Sequence, residues 1–180
     1  ATAPACSDAA QGSEDSGSPF YVNHAPTFTA ITNTSPADPG GSITWNATAS
    51  DSDDESTVKL LVCRTANMAN GVCTDGAWCE SSSVSSDPSC TYNIPTVTPD
   101  GSNTAYVFVV DQYNTPASGS SQGSTSNFTV NNVAPTVTTV SLNGGNAISL
   151  TESTTTNVPI TATIVDRNGC STTEITTVQA

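Results

Sequence analysis

Apolar and polar residues alternate along several short segments of the chain, and this alternation predicts β-strands. In the clearest segment, residues 43–49, every second side chain is apolar (Ile-Thr-Trp-Asn-Ala-Thr-Ala). A period of two places the apolar side chains on one face of a strand. Similar segments begin at Phe28, Val58, Tyr106 and Phe128. No stretch has the 3.6-residue period of an amphipathic helix. The pattern therefore predicts an all-β fold with about seven short strands packed as an antiparallel β-sandwich.

A short phrase occurs twice in the sequence. Residues 20–28 read Phe-Tyr-Val-Asn-His-Ala-Pro-Thr-Phe, and residues 128–137 read Phe-Thr-Val-Asn-Asn-Val-Ala-Pro-Thr-Val. Farther along, residues 46–51 and 161–166 each end an alternating segment with an aspartate. The period of roughly 110 residues matches one sandwich domain. The repeat predicts three domains or parts of domains: the last strand of a neighbouring sandwich at 1–23, a complete sandwich at 24–133, and the first half of a second sandwich at 134–180.

Within residues 134–180 the pattern predicts strands near 136–142, 158–165 and 174–179. A half-sandwich leaves backbone groups unpaired and one apolar face bare. Two interpretations remain open. Either the chain is an excerpt from a long tandem array, or residues 1–23 of one subunit add a strand to the half-domain of the next. Such a contact is head-to-tail, so copies of the chain would build a filament by strand complementation.

The composition limits the partners and the compartment. The chain has 16 acidic and 3 basic residues, a net charge of −13, whereas nucleic acids and anionic lipids require a basic surface. Six cysteines in an acidic, threonine-rich chain are typical of an oxidising compartment, and we therefore expect an extracellular or cell-surface protein. No run of 18 apolar residues is present, so direct membrane insertion is not expected.

Three short phrases resemble a known family. Residues 23–28 (Asn-His-Ala-Pro-Thr-Phe) resemble the domain junction of cadherin-like repeats, and residues 49–54 (Ala-Ser-Asp-Ser-Asp-Asp) resemble a loop of those repeats and of bacterial immunoglobulin-like modules in large secreted surface-fibre proteins. Residues 100–106 resemble the segment that leads into the penultimate strand. The chain lacks the acidic residues that precede the junction asparagine in cadherins. The resemblance implies tandem immunoglobulin-like, cadherin-like antiparallel sandwiches, the second incomplete within the chain.

The cysteines divide in the same way as the predicted domains. The complete domain contains four of them, Cys63, Cys73, Cys79 and Cys90, and each flanking segment contains one, Cys6 and Cys170. Sequential pairing, 63 with 73 and 79 with 90, closes two short loops, and the nested pairing, 63 with 90 and 73 with 79, is the alternative. The two flanking cysteines would then be free to link subunits. A zinc site is not favoured because no Cys-x-x-Cys pair occurs.

Acidic residues at strand ends make calcium the most plausible cofactor. Hard oxygen ligands suit calcium, and the candidate ligands are Asp51, Asp53, Asp54, Glu55, Asp111 and Asp166. The junction amides that could join them are Asn23, Asn131 and Asn132. The alternative is that these carboxylates only stabilise turns, a common role of aspartate.

Catalysis is not indicated, and we do not expect an enzyme. His24 is the only histidine and lies in the junction phrase, whereas a hydrolase needs a base beside its nucleophile. Trp78, in the cysteine-rich loop, is the candidate for an exposed binding residue, with packing inside that loop as the alternative. Three asparagines satisfy the glycosylation sequon, namely Asn33, Asn46 and Asn127.

Together these features predict a structural protein rather than a catalyst. We expect a subunit or repeat of an extracellular filament or stalk, whose partners are copies of itself or adjacent repeats of a longer chain. The alternative function is an adhesin or a carbohydrate-binding module that contacts glycans through the Trp78 loop.

Overall fold

The computed structural model describes residues 23–53 and 56–169, and this part of the chain is all-β. Its helical content is a single 3-10 turn at Asn143–Gly145. The strands are β1 (Thr27–Asn33), β2 (Ser42–Ser50), β3 (Val58–Cys63), β4 (Met68–Ala69), β5 (Val72–Cys73), β6 (Ala77–Glu80), β7 (Ser89–Asn93), β8 (Gly101–Asn103), β9 (Tyr106–Asp111), β10 (Phe128–Val130), β11 (Thr136–Leu142) and β12 (Ile160–Val165). We call residues 23–133 the first unit and residues 134–169 the second unit.

The first unit contains two three-stranded antiparallel sheets, with strand orders β1-β2-β7 and β6-β3-β9. Two shorter antiparallel pairs, β8 with β10 and β4 with β5, complete it. The alternation predicted for β2 is confirmed, because its apolar side chains are buried and the polar ones between them face outward. Trp45 of β2, Leu60 of β3 and Val107 of β9 are fully buried in one apolar cluster to which both sheets contribute. Burial of this shared cluster from water is the main force that holds the two sheets together.

The segments through which the chain enters and leaves the first unit pair in parallel at two places. At one end, Phe28 N–H donates to the Ser118 carbonyl (2.8 Å), and Ser118 N–H donates to the Pro26 carbonyl (2.7 Å). After β1, the chain moves over to β10. There Ala37 N–H donates to the Thr129 carbonyl (3.1 Å) and its carbonyl accepts from the N–H of residue 131 (2.9 Å). The unit is therefore closed by backbone bonds between the segments through which the chain enters and leaves it.

Gly119 allows this close approach. Its φ of +114° is a conformation that residues with a Cβ rarely adopt. A Cβ added at this position would lie 2.3 Å from the carbonyl oxygen of Phe28. A side chain here would therefore push the final segment away from β1.

Two disulfides reinforce the first unit. Cys63–Cys73 connects β3 to β5, and Cys79–Cys90 connects β6 to β7. The structure thus has the sequential pairing and not the nested one. The second bridge joins the two sheets, because β6 and β7 belong to different ones. Cys6 and Cys170, and with them the predicted link between subunits, lie outside the described residues.

The second unit repeats the first hairpin of the first unit. Strands β11 and β12 pair antiparallel, and the irregularity in their register falls between Val137 and Thr139, whereas the one in β1 falls between Phe28 and Ala30. Both sit one residue after the strand begins. The strand predicted at 136–142 is confirmed, and the one predicted at 158–165 spans Ile160–Val165. The strand predicted at 174–179 and the segment 1–22 lie outside the described residues.

Candidate functional site

A turn with the same hydrogen bond follows the second strand of each unit. After β2, the side chain of Asp51 accepts from the N–H of Asp53 (3.1 Å) and from the hydroxyl of Ser56 (2.7 Å). After β12, the side chain of Asp166 accepts from the N–H of Asn168 (2.9 Å). A carboxylate that bonds the backbone two residues ahead is the usual way in which aspartate closes such a turn.

The third residue of each turn then holds the linker in front of its own unit. Asp53 accepts from the N–H of His24 at 2.7 Å, and Asn168 accepts from the N–H of Val133 at 2.6 Å. His24 and Val133 occupy the same place in the repeated phrase, directly before Ala-Pro-Thr. The sequence repeat is therefore also a repeat of local geometry, and it recurs at the start of both units.

Asn168 additionally connects the second unit to the first. Its amide nitrogen donates to the backbone carbonyls of Asn131 (2.9 Å) and Thr98 (3.2 Å). Thr98 N–H in turn donates to the carbonyl of Arg167 (2.9 Å). Asn168 is only 2% exposed, so these bonds are shielded from competition with water. The side chain of Asn168 thus fixes both the linker and the contact between units.

Asp53 holds the equivalent place at the opposite end of the first unit, but as a carboxylate. The backbone N–H of His24 and the bond to its ring Nδ1 (2.6 Å) lower the pKa of Asp53 below its usual 3.8, since both bonds favour the charged form. An ionised carboxylate accepts hydrogen bonds and cannot donate them. Asp53 therefore cannot make the bonds to carbonyl groups that Asn168 makes.

The predicted calcium ligands are mostly engaged in turns and linkers. Asp111 is buried and accepts from the backbone N–H groups of Tyr113 (2.8 Å) and Thr115 (2.7 Å) and from the side chain of Asn23 (2.7 Å). Within residues 23–53 and 56–169, no group of three or more His, Cys, Asp or Glu side chains is placed to hold a metal ion. Asp54 and Glu55 lie outside the described residues, so calcium binding stays a prediction.

The junction asparagines predicted as further ligands bond to side chains of their own unit. Asn131 donates to Asp38 (2.8 Å), and Asn132 points to Asp100 at 3.5 Å. Both acids lie at the end of the first unit that faces Asn168. In the structure these two side-chain amides therefore bond to carboxylates of the first unit.

Trp78 packs within its own unit. Its ring N–H donates to the carbonyl of Thr104 (3.0 Å), and its ring lies edge-to-face with Tyr92 and Phe128, at centroid distances of 5.1 and 4.9 Å. The guanidinium of Arg64 lies 4.0 Å from the ring centroid, a favourable cation–π contact. This environment favours the packing role over the exposed binding role, which stays a prediction.

The three glycosylation sequons differ in their surroundings. The Asn33 side chain is half-buried and donates to Ser126 and to the carbonyl of Asn127, while its oxygen accepts from the N–H of Ser35. Asn46 and Asn127 are exposed. Of the three, Asn33 is thus the least suited to modification in the folded state.

Asn168 is the residue of this site that the sequence pattern did not predict. An asparagine before a glycine is typical of a turn and draws no attention by itself. The signal was the repeat, because Asn168 follows Asp166 by two residues as Asp53 follows Asp51. Extending the repeated phrase two residues beyond the aspartate aligns Asn168 with Asp53.

No helix in the described part of the chain has the length and apolar character needed to cross a bilayer. The two disulfides indicate an oxidising compartment. In comparisons with known proteins, no family model matches the chain, and no curated protein matches it either.

Proposed function

We propose that the chain is a structural part of an extracellular filament or stalk. In this proposal, immunoglobulin-like, cadherin-like β-sandwich domains follow one another head to tail, and the protein transmits force rather than catalysing a reaction. The observation that supports it most is the parallel pairing between the first and last segments of the first unit. The recurring junction and the disulfides add to it.

The chain enters and leaves the first unit at opposite ends. Asn23 and His24 bond to Asp111 and Asp53, near the end of β2. The second unit contacts the first near Thr98, and its Arg167 guanidinium lies beside Gly40, close to the start of β2. A pull on the chain would therefore act along the length of the unit.

Tension in this direction shears the parallel segments. Four backbone hydrogen bonds join the first segment, at residues 26, 28 and 37, to the last, at residues 118, 129 and 131. Because the two segments run in the same direction and are pulled toward opposite ends, the bonds are loaded together rather than broken one at a time. Such an arrangement suits a domain that bears load.

The junction provides the second support. Repeated domains joined by flexible linkers would bend at each joint, since inter-domain motion is the default where the interface is small. Here the linker N–H and two carbonyls of the preceding unit are all bound by one buried side chain, Asn168. This bonding favours a stiff joint, as a filament or stalk requires.

Single-molecule stretching of the full chain between its termini tests the proposal. The first unit should unfold at a high, well-defined force. Ala37→Pro should lower that force because proline lacks the N–H that bonds to Thr129, whereas the matched Ala37→Ser variant retains the N–H and should not. Unfolding at low force, or equal forces for the two variants, would contradict a load-bearing role.

The same measurement reports on the disulfides. The bridged cysteines are separated by 10 and 11 residues, and an extended residue spans about 3.5 Å. Reduction should therefore lengthen the unfolded first unit by about 60 Å, after subtraction of the distances that the bridges already span. An unchanged length would mean that the bridges are not closed in the protein under tension.

A further inference from the structure

The second unit exposes an apolar face, and the inference of what covers it rests on the proposed function. We propose that residues 20–22 of a second copy lie as a β-strand on this face of the β11–β12 hairpin. The contact would join copies head to tail by strand complementation.

The face consists of three cross-strand pairs. The pairs are Val137 with Ile164, Val140 with Ala162, and Leu142 with Ile160. Val137 is 60% exposed, Val140 67% and Ile160 54%. Directly opposed residues of antiparallel strands lie on the same side of the sheet, so these apolar side chains form one continuous surface. Contiguous exposed apolar surfaces of this kind mark interaction sites.

The first unit shows how the corresponding face is covered. The equivalent pairs there are Phe28 with Ala49, Ile31 with Ala47, and Asn33 with Trp45. Trp45 is fully buried, and the ring of Phe128 from β10 packs edge-to-face on it at 5.5 Å. β10 thus contributes directly to the cover of its own first hairpin. It also pairs with the segment that follows β1, through Ala37 and Val130.

Residues 20–22 repeat the sequence of β10. They read Phe-Tyr-Val and are followed by asparagine, and β10 reads Phe-Thr-Val, also followed by asparagine. Phe20 therefore corresponds to Phe128. Ile160 corresponds to Trp45, because each pairs with the last residue of the preceding strand. By this correspondence Phe20 would pack on Ile160, a smaller residue that leaves room for the ring.

Within one copy, residues 20–22 cannot reach this face. Asn23 is bonded to Asp111 and Thr115, at the end of the first unit opposite to the second unit. The nine residues of β2 separate the two ends, a distance of about 30 Å. Three extended residues span about 10 Å. The strand must therefore come from another molecule, and a contact between different surfaces of identical chains propagates instead of closing into a dimer.

A mixing experiment tests this assignment on the full chain, with Cys6 and Cys170 replaced by serine so that assembly is non-covalent. Light scattering and sedimentation should show that this parent chain forms concentration-dependent polymers. Phe20→Asp removes the donor and Ile160→Asp removes the acceptor face, so each variant alone should be monomeric. Mixed in equal amounts, they should form dimers, because Ile160→Asp retains a donor and Phe20→Asp retains a face.

Two variants on the opposite faces of the same strands are the controls. Tyr21→Asp and Thr161→Asp should assemble like the parent chain, since alternate residues of a strand point away from each other. Assembly of Phe20→Asp but not of Ile160→Asp would mean that two hairpins pair with each other, and would overturn the proposal. So would a mixture that remains monomeric.

A parent chain that is monomeric at every concentration would also overturn the proposal. That result is distinguishable from failure of the proposed function. The stretching experiment on the first unit measures load-bearing within one molecule, and its outcome does not depend on assembly.

Discussion

In the first unit Trp45 is completely buried, whereas Ile160, which holds the same place in the second unit, is largely exposed. The two hairpins have matching irregularities in register, and each ends in an aspartate turn that binds its own linker. They differ in what covers the apolar face of the hairpin. In the first unit, β3, β9 and β10 cover it, and no described residue does so in the second. The local sequence is thus sufficient to set the hairpin and its turn, while burial depends on segments supplied from elsewhere.

The largest expected effect tests this difference in burial. Trp45→Ala should destabilise the first unit by about 3–5 kcal/mol, because it leaves a large cavity in the core. Ile160→Ala, a truncation to alanine at the equivalent exposed position, should cost less than about 0.5 kcal/mol in a dilute sample. Urea unfolding followed by circular dichroism measures both. Similar losses for the two variants would show that the second hairpin is buried in solution.

The next effect tests the contribution of the disulfides to the covered unit. Replacing Cys79 and Cys90 by serine should cost about 3 kcal/mol, because a closed loop of this length restricts the unfolded chain. The double replacement of Cys63 and Cys73 is the control, since its loop is nearly the same length but lies to one side of the core. A larger loss for the first pair, measured by urea unfolding, would show that tying the two sheets together adds stability. A smaller loss would contradict that role.

A smaller effect distinguishes the two ends of the first unit. Asn168→Asp should weaken the contact between units by about 1–3 kcal/mol, since the carboxylate faces two carbonyls to which the amide donated. Faster hydrogen exchange of the Thr98 amide, which bonds to Arg167, is the measurement. The reciprocal change, Asp53→Asn, keeps the acceptor for the backbone N–H of His24 and should leave exchange of the Thr98 amide unchanged. Unchanged exchange in Asn168→Asp would contradict the proposed locking role.

The smallest effect is a pH dependence at Asp53. The bonds from His24 lower the pKa of Asp53 in the folded state. Their contribution to the stability of the fold is therefore complete above pH 3.8, and it is lost as the pH falls through the lower pKa of the folded state. The amide resonance of His24 should therefore shift on acidification below this value. In Asp53→Asn the shift should disappear, because an amide does not titrate. A shift that persists would assign the transition to another group.

Much of the covered unit could be predicted from the sequence. Strand β2 follows from strict alternation over residues 43–49, whereas its pairing with β1 and β7 is known only from the structure. Strand β7 was not predicted, although Cys90 and Tyr92 alternate with polar residues there. The polar content of this segment is typical of a loop. In the structure, Cys90 is buried by its bridge to Cys79, and Tyr92 packs against Trp78.

The candidate site was predictable only in part. The repeated phrase and the aspartates at 51 and 166 marked the junction, but their partners depend on where the backbone goes. Ala37 pairs with β10 only because the chain leaves β1 and moves to the other sheet edge. The role of Asn168 likewise depends on carbonyls at positions 98 and 131. Contacts between groups so distant in sequence leave no periodic signal in the chain.

Gly119 provides a way to find other proteins built like this one. The position tolerates no side chain, on grounds of both backbone conformation and space, while the exposed serines and threonines around it are free to change. Distant relatives should therefore keep a glycine shortly after the strand that ends at Asp111, together with an Ala-Pro pair at the domain entrance. A search weighted toward these few positions should detect kinship that overall sequence identity conceals.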